Sequence, residues 1–207
     1  MKKVMYALCI GVCALFVSCS KSDDNSGSNE GGVVNNNFSS EVTAVASKDI
    51  IQKMATGKAT IYGGTTPPEV KLPSGFLFHT GEIVLSHTTL GDKDPIINKV
   101  HDGFFYKFYN QSGSKLKVDY FNQSGGNYAA NGVDAVISGE GNKFTIFFLN
   151  KERNLVALSG EFTGDAIKDF QQSVINKVEE PVGTVRVFKS KSGYAESFRE
   201  FNLYHTN

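Results

Sequence analysis

Tryptophan is missing from the 207 residues, and cysteine is almost so: Cys9, Cys13 and Cys19 all fall within the first nineteen positions. From residue 20 onward there is no thiol. That excludes disulfides, a thiol nucleophile and a cysteine-ligated metal centre from the rest of the chain. An excess of either charge is also absent, since 21 Lys+Arg face 21 Asp+Glu. The balance leaves no electrostatic footprint for nucleic acid or an anionic lipid surface. No apolar run reaches the ~20 residues that a membrane-spanning helix needs. Neither a Gly-x-Ser-x-Gly elbow nor a phosphate loop is present. The glycines from Gly132 to Gly141 do not open a helix, so they make no dinucleotide site.

What is present begins at the N-terminus. Lys2 and Lys3 precede an apolar stretch over 6–17, then small Ser18 and Cys19. A positive start, a short apolar run and a small-residue cleavage site make a secretory signal peptide. Its close on Phe16-Val17-Ser18-Cys19 resembles the lipobox of bacterial lipoproteins. That resemblance implies diacylglycerol on the Cys19 sulfur, cleavage before Cys19 and acylation of the new amine. Residues 1–18 are then the signal. Losing Lys2 and Lys3 from 21 Lys+Arg leaves 19 against 21 Asp+Glu. Two or three acyl chains anchor firmly where one is marginal, at ~0.8 kcal/mol per buried methylene. Residues 19–40 are polar and rich in Gly, Ser and Asn. Such a segment buries too little to offset its ordering entropy and reads as a flexible tether of roughly 20–25 Å reach. Asp23-Asp24 resembles the export signal of Bacteroidota surface lipoproteins, which implies an outer-membrane, lipid-anchored position at the cell surface.

Residues 41–207 read as a single β-rich domain. It carries most of the sixteen Phe, eight Tyr and 21 Gly, a composition suited to strands and turns. One short helix is expected over 47–55, capped by Ser47, with Asp49 in its first turn and Gly57 as its stop. Strands follow at 58–62, 82–89, 104–109, 115–121, 133–138, 143–149, 155–162 and 184–188. In 82–89, Ile83, Leu85 and His87 share one face; in 115–121, Leu116, Val118 and Tyr120 do. Gly139 to Asn142 joins two strands as a hairpin. The spacing predicts an antiparallel meander of about eight or nine strands, closed as a lipocalin-like barrel or packed as a β-sandwich. The echo of Tyr109-Asn-Gln-Ser-Gly113 in Phe121-Asn-Gln-Ser-Gly125, and of Ser138-Gly-Glu140 in Ser159-Gly-Glu161, reads as turn chemistry at successive strand ends.

Residues 165–180 are ambiguous. Ile167, Phe170, Val174 and Val178 fit a helical period better than a strand alternation. Tyr62-Gly-Gly-Thr-Thr-Pro-Pro68, Gly75-Phe-Leu, Ile137-Ser-Gly-Glu-Gly-Asn-Lys-Phe-Thr-Ile-Phe147, Leu158-Ser-Gly160 and Arg186-Val-Phe188 together resemble uncharacterised Bacteroidota lipoproteins. The resemblance covers 58–190 in patches and departs at Lys71-Leu-Pro-Ser74, which looks like an insertion. It implies an extended segment at 171–178 and supplies no catalytic residues.

The best binding candidate is the aromatic cluster Phe104, Phe105, Tyr106, Phe108, Tyr109, Tyr120 and Phe121. Alternation sends Phe104, Tyr106 and Phe108 to one face and Phe105 and Tyr109 to the other. We single out Phe105, Tyr106, Tyr109, Tyr120 and His87 as ligand-binding residues, for a small apolar ligand or a glycan. No catalytic residue, cofactor or metal is expected. His87 and His101 could approach only if their strands form a hairpin. Gly91-Asp-Lys-Asp-Pro95 lacks the carboxylate spacing of a calcium loop and reads as a solvated loop. The alternatives are an accessory subunit, using a spare aromatic face to meet an envelope protein, and a hydrolase with two carboxylates across a cleft.

The lipid reading has a direct consequence. Cys19→Ala should leave the protein unprocessed or released from membranes on fractionation. Recovery of a processed, fully membrane-bound Cys19→Ala protein would contradict it.

Overall fold

The computed structural model describes residues 31–125, 129–178 and 181–200. Five small elements come first: β1 (Gly32–Val34), α1 (Ser40–Val45), α2 (Lys48–Thr56), β2 (Thr60–Tyr62) and β3 (Thr65–Thr66). Then come β4 (Phe76–His79), β5 (Ile83–Thr88), a 3-10 turn (Gly91–Lys93), β6 (Val100–His101), β7 (Phe104–Ser112) and β8 (Lys115–Asn122). The chain continues through β9 (Ala129–Glu140), β10 (Lys143–Leu149), β11 (Leu155–Phe162), β12 (Ala166–Ile175), β13 (Val185–Ser190) and β14 (Tyr194–Arg199). No helix among the described residues is long and apolar enough to cross a membrane.

The sheet closes on itself as an eight-stranded antiparallel barrel, not a sandwich. Three of its staves are bent strands. β13 and β14 pair with the same edge of β12, at Gln171–Ile175 and Ala166–Lys168 respectively, so they are two halves of one stave. β5 and β4 follow those halves on the next stave, and β6 and β7 on the one after. Every stave therefore neighbours the one before it in sequence, and the last returns to the first. Closure of this kind removes the exposed edges that an open sheet must otherwise protect.

The three bends meet at one corner. Thr80 is buried; its hydroxyl accepts from the Phe104 N–H at 2.9 Å and its carbonyl accepts from the Ser190 hydroxyl at 2.8 Å. Gly103 lies so close that a Cβ there would overlap the Gly81 carbonyl. At this point the backbone groups that leave the ladder are satisfied by side chains.

The wall from β9 to β12 is buried on both faces. Phe144, Ile146 and Phe148 of β10 fill the barrel, while Phe147 joins an outer cluster with Val42, Ile51, Met54, Ile61 and Leu155. The N-terminal segment supplies that outer cover. Its strand β2 is docked by side chains rather than by a ladder. The Tyr62 N–H donates to Thr145 Oγ1 at 2.8 Å, and Ser138 Oγ donates to the Tyr62 carbonyl at 2.6 Å. Thr145 also bonds Ser159 across β10 and β11 at 3.0 Å. The repeated Ser-Gly-Glu thus places a hydroxyl on either side of Thr145 for docking, beyond its role at strand ends. The two Asn-Gln-Ser-Gly segments do sit at strand ends, with positive φ at Gly113 and Gly125.

Helix α2 has the Ser47 cap and Gly57 stop that the sequence predicts. One expectation needs correction. A flexible tether over 19–40 is too long, since Gly32–Val34 already pairs in parallel with Thr60–Tyr62, and Ser39 caps a further helix. Val33 packs on the outer cluster, and that burial fixes the segment despite its polar setting. Within 165–180, left open between helix and strand, Ala166–Ile175 is a strand, β12, as the resemblance implies from residue 171; residues 179–180 lie outside the described ones. Asp169 has φ 53° and both Lys168 and Asp169 are exposed, so one residue bulges and Ile167 and Phe170 both point inward. A bulge turns a spacing of two into three, which imitates a helix. The facing Gly160 leaves room, since a Cβ there would overlap Ile167.

One end of the barrel is packed with aromatic side chains. Phe78 and Phe108 lie tilted to each other at 5.5 Å between centroids, Val70 from the 67–75 loop packs on the inner cluster, and a second cavity of about 330 Å3 lies under that loop beside Phe78, Tyr106 and Phe108. That loop also covers the seam where β4 and β7 pair at only two positions; Gln111 holds it through Val70 N–H and the Pro68 carbonyl. Because the outer cover is a second core, Phe147→Ala should cost about 3–5 kcal/mol in urea unfolding, as much as inward Phe144→Ala. A loss below about 1 kcal/mol at Phe147 would show the cover to be loosely packed.

Candidate functional site: the open end of the barrel

The inner face changes character toward the other end. Below, it is Phe, Ile, Leu and Val. The change comes at Tyr106, whose buried hydroxyl donates to Gln172 Oε1 at 2.7 Å. Burial, with Tyr120 nearby, holds the Tyr106 phenol well above its ordinary pKa, so it stays a neutral donor. Above this level a cavity of about 420 Å3 opens, walled by Phe104, Val174, Phe188 and Ile83 and rimmed by Asn150, Asn154 and Asn176. A smaller chamber of about 40 Å3 lies beneath it, among Phe104, Tyr106, Tyr120, Phe148 and Glu152.

One wall carries a buried ion pair. Arg186 Nε donates to Asp94 Oδ2 at 2.7 Å, and the Asp94 side chain is fully buried. Thr88 Oγ1 donates to the same oxygen at 2.9 Å and the Ile96 N–H to the other at 3.3 Å. Burial alone would raise the Asp94 pKa; the bonds from Arg186, Thr88 and Ile96 and the Arg186 charge outweigh it, so the carboxyl sits below its usual range. The pair pins the loop after β5 across the wall and brings Ile96 to the cavity. His101 also lines it, with its ring edge-on to Phe188 at 5.8 Å. Its Nε2 is one of two buried side-chain nitrogen or oxygen atoms without a partner among the described residues.

The expected binding residues divide. Tyr106 and Tyr120 do face the interior and line the lower chamber. Phe105 and Tyr109 face outward. Phe105 stacks with His79 at 4.2 Å and Phe121 at 4.7 Å, and Tyr109 donates to Asp119 at 2.9 Å. His87 is displaced by a bulge between Val187 and Phe188. It sits opposite outward-facing Val187, while Leu85 stays opposite Phe188. His87 and His101 therefore do not share a face, and no group of three metal-ligating side chains assembles among the described residues. The loop 91–95 is solvated as expected at Gly91, Asp92, Lys93 and Pro95, and Asp94 alone is buried and paired.

Arg186, Asp94, Glu152 and Gln172 were not singled out. The alternation of Val185 and Val187 with Arg186 and Phe188 held a signal. The valines face the outer cover, so the arginine faces inward. The chain matches no family model, no curated protein sequence and no solved structure in comparisons with known proteins.

Removing one member of a buried ion pair strands the other, so Asp94→Ala should cost about 3 kcal/mol in urea unfolding. The pair also sets an acid limb. The folded pKa lies below the unfolded value of about 3.9, so its stabilisation is complete above that pH and is lost as pH falls through the folded pKa. Asp94→Asn should flatten this limb. An unchanged acid profile would mean that Asp94 is not ionised in the fold.

Proposed function

We propose that this protein is a lipid-anchored envelope protein whose barrel holds a small ligand in its open end and catalyses no reaction. The observation that carries the reading is the change along one interior, from packed aromatic side chains at the base to a cavity of about 420 Å3 with polar groups at its rim. That volume falls in the lower part of the roughly 300–1,000 Å3 range of small-molecule sites. Its walls mix apolar surface with a few fixed polar groups, as ligand sites do. Cys19 is the anchor, and Asp23-Asp24 favours the outer face of the outer membrane. The resemblance to Bacteroidota lipoproteins supports the same placement.

A neutral fluorescent dye such as N-phenyl-1-naphthylamine, displaced by small amphiphiles, tests the reading. Val174→Trp should fill the cavity and abolish dye binding without lowering the melting temperature. Phe121→Ala on the outer wall should leave binding unchanged. Equal dye binding by the Val174→Trp protein would place the dye elsewhere and contradict the reading.

A further inference from the structure

We infer that the ligand's buried end is a primary ammonium group and that Glu152 receives it. The inference rests on the reading of the open end as a ligand site. Three charged side chains line the cavity: Arg186, Asp102 and Glu152. Arg186 is already neutralised by Asp94 at 2.7 Å. Asp102 and Glu152 make no ion pair among the described residues. The lining therefore carries surplus negative charge, and an anionic ligand would meet repulsion with no free cation to receive it.

Depth separates the two acids. Asp102 is exposed, whereas Glu152 is half-buried and borders both the cavity and the small chamber below. The chamber is walled by Phe104, Tyr106, Tyr120 and Phe148, with Tyr120 and Phe148 centroids 5.5 Å apart. Burial, then the Glu152 charge, raises the Tyr120 phenol pKa, while the bond from the Lys151 N–H opposes them. Glu152 is thus electrostatically coupled to the ring on that wall. A carboxylate beside aromatic faces suits a cation, which gains from both the charge and the ring quadrupoles. The chamber is small, about 40 Å3, so the compact primary ammonium is the cation proposed for it. The ligand's body then fills the wider cavity above, against Val174 and Phe188.

The test uses three probes with one tail, octylammonium, octanoate and octan-1-ol, at pH 7 by titration calorimetry. The protein is the mature chain from Cys19 onward, made in the cytoplasm so that it carries no lipid. Octylammonium should bind at least about tenfold more tightly than either other probe. Glu152→Gln should erase that preference and leave octan-1-ol affinity within about twofold. The wild-type ranking decides the matter even if the variant folds poorly. Octanoate binding as well as octylammonium, or an unchanged ammonium affinity in Glu152→Gln, overturns the inference. Equal binding of all three probes leaves the ligand site standing and overturns only its charge. No binding by any probe overturns both.

Discussion

Closure of the ring is the constraint on which the molecule depends. The last stave, β13 and β14, must return to the first, β4 and β5, and the two meet along nine register pairs. Without that meeting, β13 and β14 on one side and β4 and β5 on the other would have bare edges, and the inner phenylalanines would face water. The corner of Thr80, Gly103 and Ser190 lets three staves bend together there. Two hydroxyls and a missing Cβ thus accommodate the bend along which the ring closes.

Closure also explains the division of labour around the ring. The β9 to β12 wall is covered by the N-terminal segment, and β10 and β11 at its centre read as nearly continuous apolar runs. The opposite wall, with Lys107, Lys117 and Asp119, has no such cover and alternates. Inside, the same alternation supplies packing at the base and a lined cavity at the top. The difference comes from a handful of inward positions occupied by Gln172, Arg186 and Phe104 rather than by aliphatic residues. Function in this account is a local departure from the packing rule, placed where the barrel is open.

Much of this was legible in the sequence. β8 followed its alternation, β10 and β11 the turns that bound their apolar runs, and α2 its cap and stop. The misses have physical causes. β4 is four residues of Phe-Leu-Phe-His with no polar alternation, and β14 buries only Ala195, so neither carries a pattern. β12 hid behind the bulge at Asp169. The site was harder. Alternation says which residues share a face, but which end of a barrel stays open depends on loops, here the one that carries Asp94 across the wall. Tyr106 and Tyr120 face the interior, each with the neighbours that alternation gave it. Glu152 sits in a hairpin turn that looks like any other.

The most direct measurement is residue-resolved NMR of the amide shifts as a small amphiphile is added. The account predicts changes confined to Phe104, Gln172, Val174, Arg186 and Phe188 at the open end, with Phe105, Phe121 and the outer cover unmoved. Shifts centred on the outer aromatic wall, or spread evenly over the barrel, would contradict it.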